Sequence, residues 1–484
     1  MAKKEKIEIV RSDRIKPKIA TKSVFVKGKD SVMMDEKTRK SMKYSIAEGT
    51  LNAASSNITS TYVTPYALFL KATHSEIGIL NALQNLAVII SQIPGANLTN
   101  RMSRKSIWLF SIIATKLFWI PILLLPFFPN PVWVFIILIF FTAFFASLKN
   151  PAWSSMMGDI VPHDIRGKYF GKRNSILGVS GLITMLVSGF ILSVYGFSAI
   201  FLISIVLGFV SIIFFIKMYE PPFRRNYYYK HTLSLNFGNA LKFVKVNRNF
   251  SLFTIYMTFS GFAINVASPF FTVYMLKDLN IGYAWFAIIA AIGILVRIFS
   301  QGYWGSLSDR FGSRKIMIIC AVLIAFVPLG YMLSYNINHL IIVEIFSGFA
   351  WAGFDLVTFN FLLGVTPADR RPSFVANFNI FTGIGGMVGL LSGGFLAEVL
   401  QGSGFLFFFG LHALFALSFV LRIVSVALMP AIRQIEKEDA TPVKDLFWQV
   451  VVEHPVKGMM HRMEYFVENP GKVMNGIERR IRKI

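Results

Sequence analysis

The sequence predicts an all-α membrane protein of twelve transmembrane helices, arranged as two six-helix bundles. Three observations predict it: long apolar runs nearly free of charge, basic residues confined to alternate connections, and a second half that repeats features of the first.

The runs come first. The chain has 484 residues, 54% of them apolar, including 48 Phe, and its mean hydropathy is +0.57. Charged residues make up 15%, against about a quarter in a typical soluble domain. An apolar run of about 20 residues at 1.5 Å per residue crosses the hydrocarbon core, so such runs read as membrane helices. The strands of an outer-membrane barrel would be about 10 residues long and alternate in polarity, and this sequence has no such pattern. Spans begin near 46, 76, 106, 131, 175 and 198, and again near 250, 283, 315, 339, 373 and 404. The predicted divisions are a basic N-tail (1–45), a first bundle (46–218), a linker (219–248), a second bundle (249–430) and a basic amphipathic C-tail (431–484). Pro221-Pro222 should stop the sixth span.

Charge placement sets direction. With twelve spans, nearly all of the 49 Lys and Arg fall on one side: the tails, the central segment and the connections near 101, 166, 310 and 370. The other side carries only Lys71 and Lys277, while Lys116, Arg297 and Arg422 fall within spans. The first span is rich in polar residues, but if it did not cross, the basic N-tail would lie outside, against the positive-inside bias. It is therefore expected to cross, with both termini cytoplasmic in a multi-pass protein of the cytoplasmic membrane. The net charge of +24 then reads as a topology signal, not as a nucleic-acid surface. Residues 1–45 lack the apolar core of a secretion signal.

The repeat follows. "VPHDIRGKYFGKRN" (161–174) and "VTPADRRPSFVANFN" (365–379) superpose at a constant offset of 205 residues. Pro162 falls on Pro367, Asp164 on Asp369, Arg166 on Arg371, Asn174 on Asn379 and Gly181 on Gly386. Parallel six-helix repeats place a substrate site at their interface near the bilayer midplane, and rock one half against the other.

Within "GSLSDRFGSRK" (305–315), Gly305 allows close helix approach, Gly312 allows a positive-φ turn, and Asp309 can cap the following helix or pair with a cation. Arg310, Arg314 and Lys315 suit the cytoplasmic face. This pattern resembles the signature loop of the major facilitator superfamily, a resemblance that covers residues 46–430. The earlier copy, "GANLTNRMSRK" with Arg101, Arg104 and Lys105, has Asn100 in place of the acidic residue, Ser103 in place of the second glycine, and one residue fewer. In the family these loops act as gates that stabilise the outward-facing state, and the missing acid at Asn100 weakens that expectation for the first copy. The proline-containing antiporter signature of span 5 is not evident in "GVSGLITMLVSGF".

Span 1 aligns Glu48, Asn52, Ser55, Thr59, Tyr62 and Tyr66 along one helical stripe. Such a stripe faces protein or water, not lipid. By the resemblance, the first helix of each triplet lines the central cavity, which makes the stripe a candidate substrate surface; helix gluing by small polar residues is the alternative. Ionisable residues within membrane spans are expensive and commonly functional. Arg297 and Asp355, on spans that border the cavity by resemblance, are the candidate substrate or proton-coupling pair. Lys116 is expected to find a structural partner, Arg422 to snorkel, and Glu344 to meet water near a helix end. His412 is expected to be structural.

The single cysteine, Cys320, excludes an intrachain disulfide. There is no GxxxxGK[ST] loop and no HExxH helix. The expectation is therefore a monomeric non-enzyme without cofactor or metal, whose partners are a small-molecule substrate, the lipid bilayer and protons. Its function would be secondary active transport of a small solute, Arg297 favouring an organic anion, with Asp355 or Glu48 carrying the coupling proton. Multidrug efflux and a non-transporting membrane sensor are the alternatives.

Overall fold

A computed structural model describes residues 35–99, 101–162, 165–221, 248–367, 371–401 and 408–429, with short stretches at 404–405, 432 and 442–447. Asn100, Asp164 and Asp369, the linker at 222–247 and the C-tail beyond 447 lie outside the described residues.

The described chain is helical almost throughout. In order come α1 (Glu36–Phe69), α2 (His74–Thr99), α3 (Arg104–Leu124), α4 (Val132–Leu148), α5 (Asn150–Ile160) and α6 (Arg166–Ile216). Then follow α7 (Arg248–Val273), α8 (Tyr283–Phe311), α9 (Ser313–Met332), α10 (Ile337–Val365), α11 (Arg371–Val399), α12 (Gly410–Ala427) and the short α13 (Val443–Phe447). Two-residue strands, Gly404–Phe405 and Phe408–Phe409, pair antiparallel before α12. Among the described residues, ten segments are long and apolar enough to cross a membrane.

The structure differs from the sequence reading in four places. Helix α1 begins at Glu36, so the last ten residues assigned to the N-tail are helical, with Glu36 and Lys40 paired one turn apart at 2.7 Å. The fourth apolar segment continues past Lys149 to Ile160, because Pro151 sits in the first turn of α5, where its missing N–H costs nothing. The last membrane segment begins at Gly410, six residues later than expected. Helix α6 spans 51 residues, about 77 Å at 1.5 Å each, far more than a bilayer core of about 30 Å. It is broken at Gly196, whose φ of 77° and ψ of −179° lie in a region that essentially only glycine occupies.

Helix α1 packs along α6 and α7 along α11; α8 packs on α10, and α9 bridges α10 and α12. The first-half helices meet the second half chiefly through α2 on α11 and α6 on α8. The outward faces carry exposed apolar side chains such as Phe110, Leu117 and Leu124 on α3 and Trp133, Val134 and Ile137 on α4, as lipid contact demands.

Two packing devices recur in both halves. Asn57 Nδ2 donates to Ala53 O (2.9 Å) beside Gly181, and Asn265 Nδ2 donates to Gly261 O (2.8 Å) beside Gly386. Likewise Ser204 Oγ on α6 donates to Ser55 O (2.9 Å), and Ser418 Oγ on α12 donates to Ala263 O (2.9 Å).

Candidate functional site

The polar stripe of α1 faces inward. Glu48, Ser55, Tyr62 and Tyr66 are buried; Asn52 and Thr59 are half-buried. The tyrosine hydroxyls are committed to backbone: Tyr62 donates to Met185 O (2.9 Å) and Tyr66 to Ile122 O (2.8 Å). Thr59 donates back to its own helix. Tyr62 and Tyr66 therefore tie α1 to α6 and α3, and the less buried part of the stripe lies at Asn52 and Thr59, beside the exposed Ser56.

Around that opening the structure gathers charges from four elements. Arg173 on α6 stands 3.6 Å from Glu48 Oε2, donates Nε to Ser45 O (3.3 Å), and lies over the Trp153 ring at 4.5 Å. Lys116 on α3 donates Nζ to Ser55 Oγ at 2.5 Å. Lys149, at the junction of α4 and α5, places Nζ 3.5 Å from Asn52 Oδ1 and 5.2 Å from the Trp108 ring centre. Lys149 and Arg173 escaped the sequence reading, which placed both in a cytoplasmic connection. The available signal was the apolar character on both sides of Lys149-Asn150-Pro151.

In the second half, Arg297 on α8 and Asp355 on α10 form an ion pair, their side chains 44% and 37% exposed. Both lie inside apolar segments, where an ion pair turned toward lipid would be costly. Arg422 does not snorkel. It is 3% exposed and donates to Ile324 O (3.0 Å), Ile264 O (3.3 Å) and Ser418 Oγ (3.2 Å), a structural cation stitching α12 to α9 and α7. Glu344 is likewise withdrawn from full exposure, accepting from Tyr331 Oη at 2.5 Å. His412 shares a contact with Tyr274 Oη (3.3 Å) and stacks on Tyr335. Among the described residues, no group of three or more His, Cys, Asp or Glu is placed to hold a metal.

The two signature loops are built differently. In the second, Gly312 turns at φ 88° and caps α9 itself, while Asp309 and Arg310 are exposed in the last turn of α8, so Asp309 is not the cap. Gly305 and Arg314 are half-buried there, and Lys315 is buried. In the first loop, Arg101 is exposed and the cap is Ser103, whose hydroxyl donates to Glu220 Oε2 (2.6 Å) while Glu220 Oε1 accepts from Arg104 N (2.8 Å). The buried Arg104 guanidinium reaches Asp159 Oδ2 (2.5 Å) and Pro221 O (2.9 Å), and Lys105 Nζ reaches Ile216 O at 2.5 Å. Glu220 and Asp159 thus bind this loop to the ends of α6 and α5.

The halves meet closely at the end bearing the 70–73 and 279–282 connections. There Gly78 lies against Gly394, Ser75 N donates to Glu398 Oε2 (3.2 Å), and His74 contacts Gln401. Beside them Tyr62 packs edge-on against Phe286 (6.3 Å) and Phe197 against Tyr283 (5.3 Å).

Apolar helices around half-open charged centres define a multi-pass membrane protein built to bring polar groups into the bilayer. The sequence profile of the Major Facilitator Superfamily matches residues 49–296 and again 253–463. The chain belongs to that superfamily and is an MFS transporter. It is 28% identical over 348 residues to an uncharacterized MFS-type transporter of Methanocaldococcus jannaschii, covering 69% of this chain and 85% of that one. It is 25% identical over 200 residues to the multi-drug resistance efflux pump PmrA of Streptococcus pneumoniae, covering 40% of this chain and 47% of that one. Among solved structures, a mutant of the nucleoside transporter NupG superposes with a TM-score of 0.67 at 14% identity, covering 81% of this chain and all of that one. A bacterial homolog of the human lysosomal transporter Spinster gives 0.58 at 14%, covering 82% and 95%.

Proposed function

We propose that the chain is a secondary active transporter that moves a small organic solute across the cytoplasmic membrane by alternating access between its two halves. The observation that carries this reading is the exposure of the Arg297–Asp355 pair within apolar segments, because an open ion pair at that depth needs an aqueous or solute-filled space. Counting α1 as a crossing and dividing α6 at Gly196 turns the ten apolar segments into twelve, six before residue 222 and six after 247. The Asn–Gly and Ser–carbonyl devices that occur in each half support the same division. The positive-inside bias supports cytoplasmic termini, and on that orientation the Gly78–Gly394 contact is the closed external end. Asn52 and Thr59 on α1 and the Arg297–Asp355 pair are the residues proposed to face the solute. Asp355 is the proposed proton carrier, and the loops at 101–105 and 305–315 are the proposed cytoplasmic gate.

Reconstituted protein supplied with radiolabelled organic acids, nucleosides and cationic dyes, with and without a pH gradient, tests the reading. Saturable uptake of one class is expected. Binding without flux for every class would overturn it. Drug efflux is the second reading, favoured by the likeness to PmrA, and energy-dependent accumulation of dye inside inverted vesicles separates it from uptake.

A further inference from the structure

The two halves differ in how their charges are balanced. In the second half Arg297 has Asp355 as partner, and Arg422 is satisfied by two carbonyls and a hydroxyl. In the first half Lys149 and Arg173 lie near one carboxylate, Glu48, and Lys116 lies further along α1 on Ser55. Arg173 stands on Glu48, so that acid's charge is matched. Among the described residues, Lys116 Nζ hydrogen-bonds the neutral hydroxyl of Ser55, and Lys149 Nζ the side-chain oxygen of Asn52 at the limit of a hydrogen bond, beside the Trp108 ring. Lys149 lies near enough to act electrostatically on both Glu48 and Lys116, so the three form one field.

Two ammonium groups without matching carboxylates in a low-dielectric interior are costly, and an anion that enters the site relieves the cost. The Lys116 end is closed. The Lys149 end is less tightly closed: Lys149 and Asn52 are half-buried, and Ser56, one turn along α1, is exposed. An ammonium is a compact point charge with three donors, suited to a carboxylate or phosphate oxygen. Asn52 adds an amide beside it, and Trp108 beneath the ammonium fixes its position.

We propose that the Lys149 ammonium, with Asn52 beside it and the charges of Lys116 and Arg173 behind, docks an oxyanion, the carboxylate or phosphate group of the transported solute. This rests on the transport reading, and it shifts the anion site from Arg297 to the first half.

The test is thermal unfolding of the purified full-length chain in detergent with succinate, inorganic phosphate or uncharged succinamide at matched ionic strength. Succinate or phosphate should raise the unfolding temperature saturably and succinamide should not. Lys149→Gln should weaken the midpoint about tenfold or more, the effect of one charge-assisted hydrogen bond, whereas Lys40→Gln on the solvent-exposed start of α1 should leave it unchanged. Asn52→Asp gives an independent arm: its carboxylate would neutralise Lys149 internally, raise the unfolding temperature without added anion, and abolish the response to succinate and phosphate. No anion-specific shift in the parent protein, or an unaltered response in Asn52→Asp, overturns the proposal. A Lys149-dependent shift seen only with phosphatidylglycerol micelles assigns the site to a lipid headgroup and overturns the solute assignment. Flux is read separately. Anion binding with no flux would sink the transport reading and leave the site, and flux with no anion response would do the reverse.

Discussion

The α2–α11 contact offers the sharpest test of how the halves move. A Cβ added at Gly78 would stand 2.6 Å from Gly394 Cα and 2.8 Å from Leu390 O. Carbon atoms rest at about 3.5–4.0 Å, so Gly78→Ala must push the helices apart by about 1 Å. Overpacking of this kind costs about 1–3 kcal/mol. Alanine's better helix propensity acts in every conformation alike and cancels between states. The state in which this end is closed should therefore lose population by roughly 5- to 150-fold relative to the state in which it is open. A Ser75→Cys reporter, beside the Glu398 contact, reads the change through its labelling rate with a membrane-impermeant maleimide. Cys320 is fully buried and gives little background. Labelling should accelerate strongly in Gly78→Ala and stay at the parent rate in Gly158→Ala, where an added Cβ meets nothing within 4 Å. Equal rates in the parent and Gly78→Ala would show that this contact does not hold the end closed.

Three other outcomes follow from single contacts. Gly196→Ala forces a side chain into the φ 77°, ψ −179° break and should destabilise by about 1–3 kcal/mol, measured by SDS-induced unfolding; an unchanged midpoint would mean that α6 relaxes without strain. Ser204→Ala and Ser418→Ala each remove a buried hydroxyl bond, from α6 to α1 and from α12 to α7. Each should cost about 1 kcal/mol and the two should be additive, because they lie in different halves. Asp355→Asn should abolish solute accumulation driven by a pH gradient while sparing exchange between equal pools. Its stability cost should stay below about 1 kcal/mol, because both partners are partly exposed. Accumulation at the parent level in Asp355→Asn would remove it from coupling.

Much of the scaffold was legible because membrane crossing leaves a strong one-dimensional trace. Apolar length, the positive-φ glycine at 312 and the ionisable pair in spans 8 and 10 all appear in the string. What the string hid was rotation about each helix axis and the places where a helix continues through a proline. The charge pattern assigns Lys149 and Arg173 to the cytoplasmic connection near 166, between the spans that begin near 131 and 175. In the fold Pro151 begins a new helical turn and both cations point inward. The α1 stripe was visible as a period, but a period does not say whether Tyr62 and Tyr66 meet water or a neighbouring carbonyl. That depends on how closely α6 and α3 approach.

The two halves then show what an internal repeat retains and what it loses. The devices present in both are packing devices: an amide against a glycine, a serine hydroxyl on a carbonyl. Their geometry depends only on how the first helix of each half sits against its neighbours, so the same residue types solve the problem in each half. The charges do not repeat. Lys149 and Arg173 lie near one acid, Glu48, in the first half and Lys116 sits on a neutral hydroxyl, while Arg297 and Asp355 balance in the second. Packing between like helices has no preferred sign of charge, so the fold alone would not favour this asymmetry. A solute does favour it when one end is anionic and must be held by one half before the other closes on it. Lys149 and Asn52, rather than the balanced pair, are therefore the first residues to change when searching for altered substrate preference.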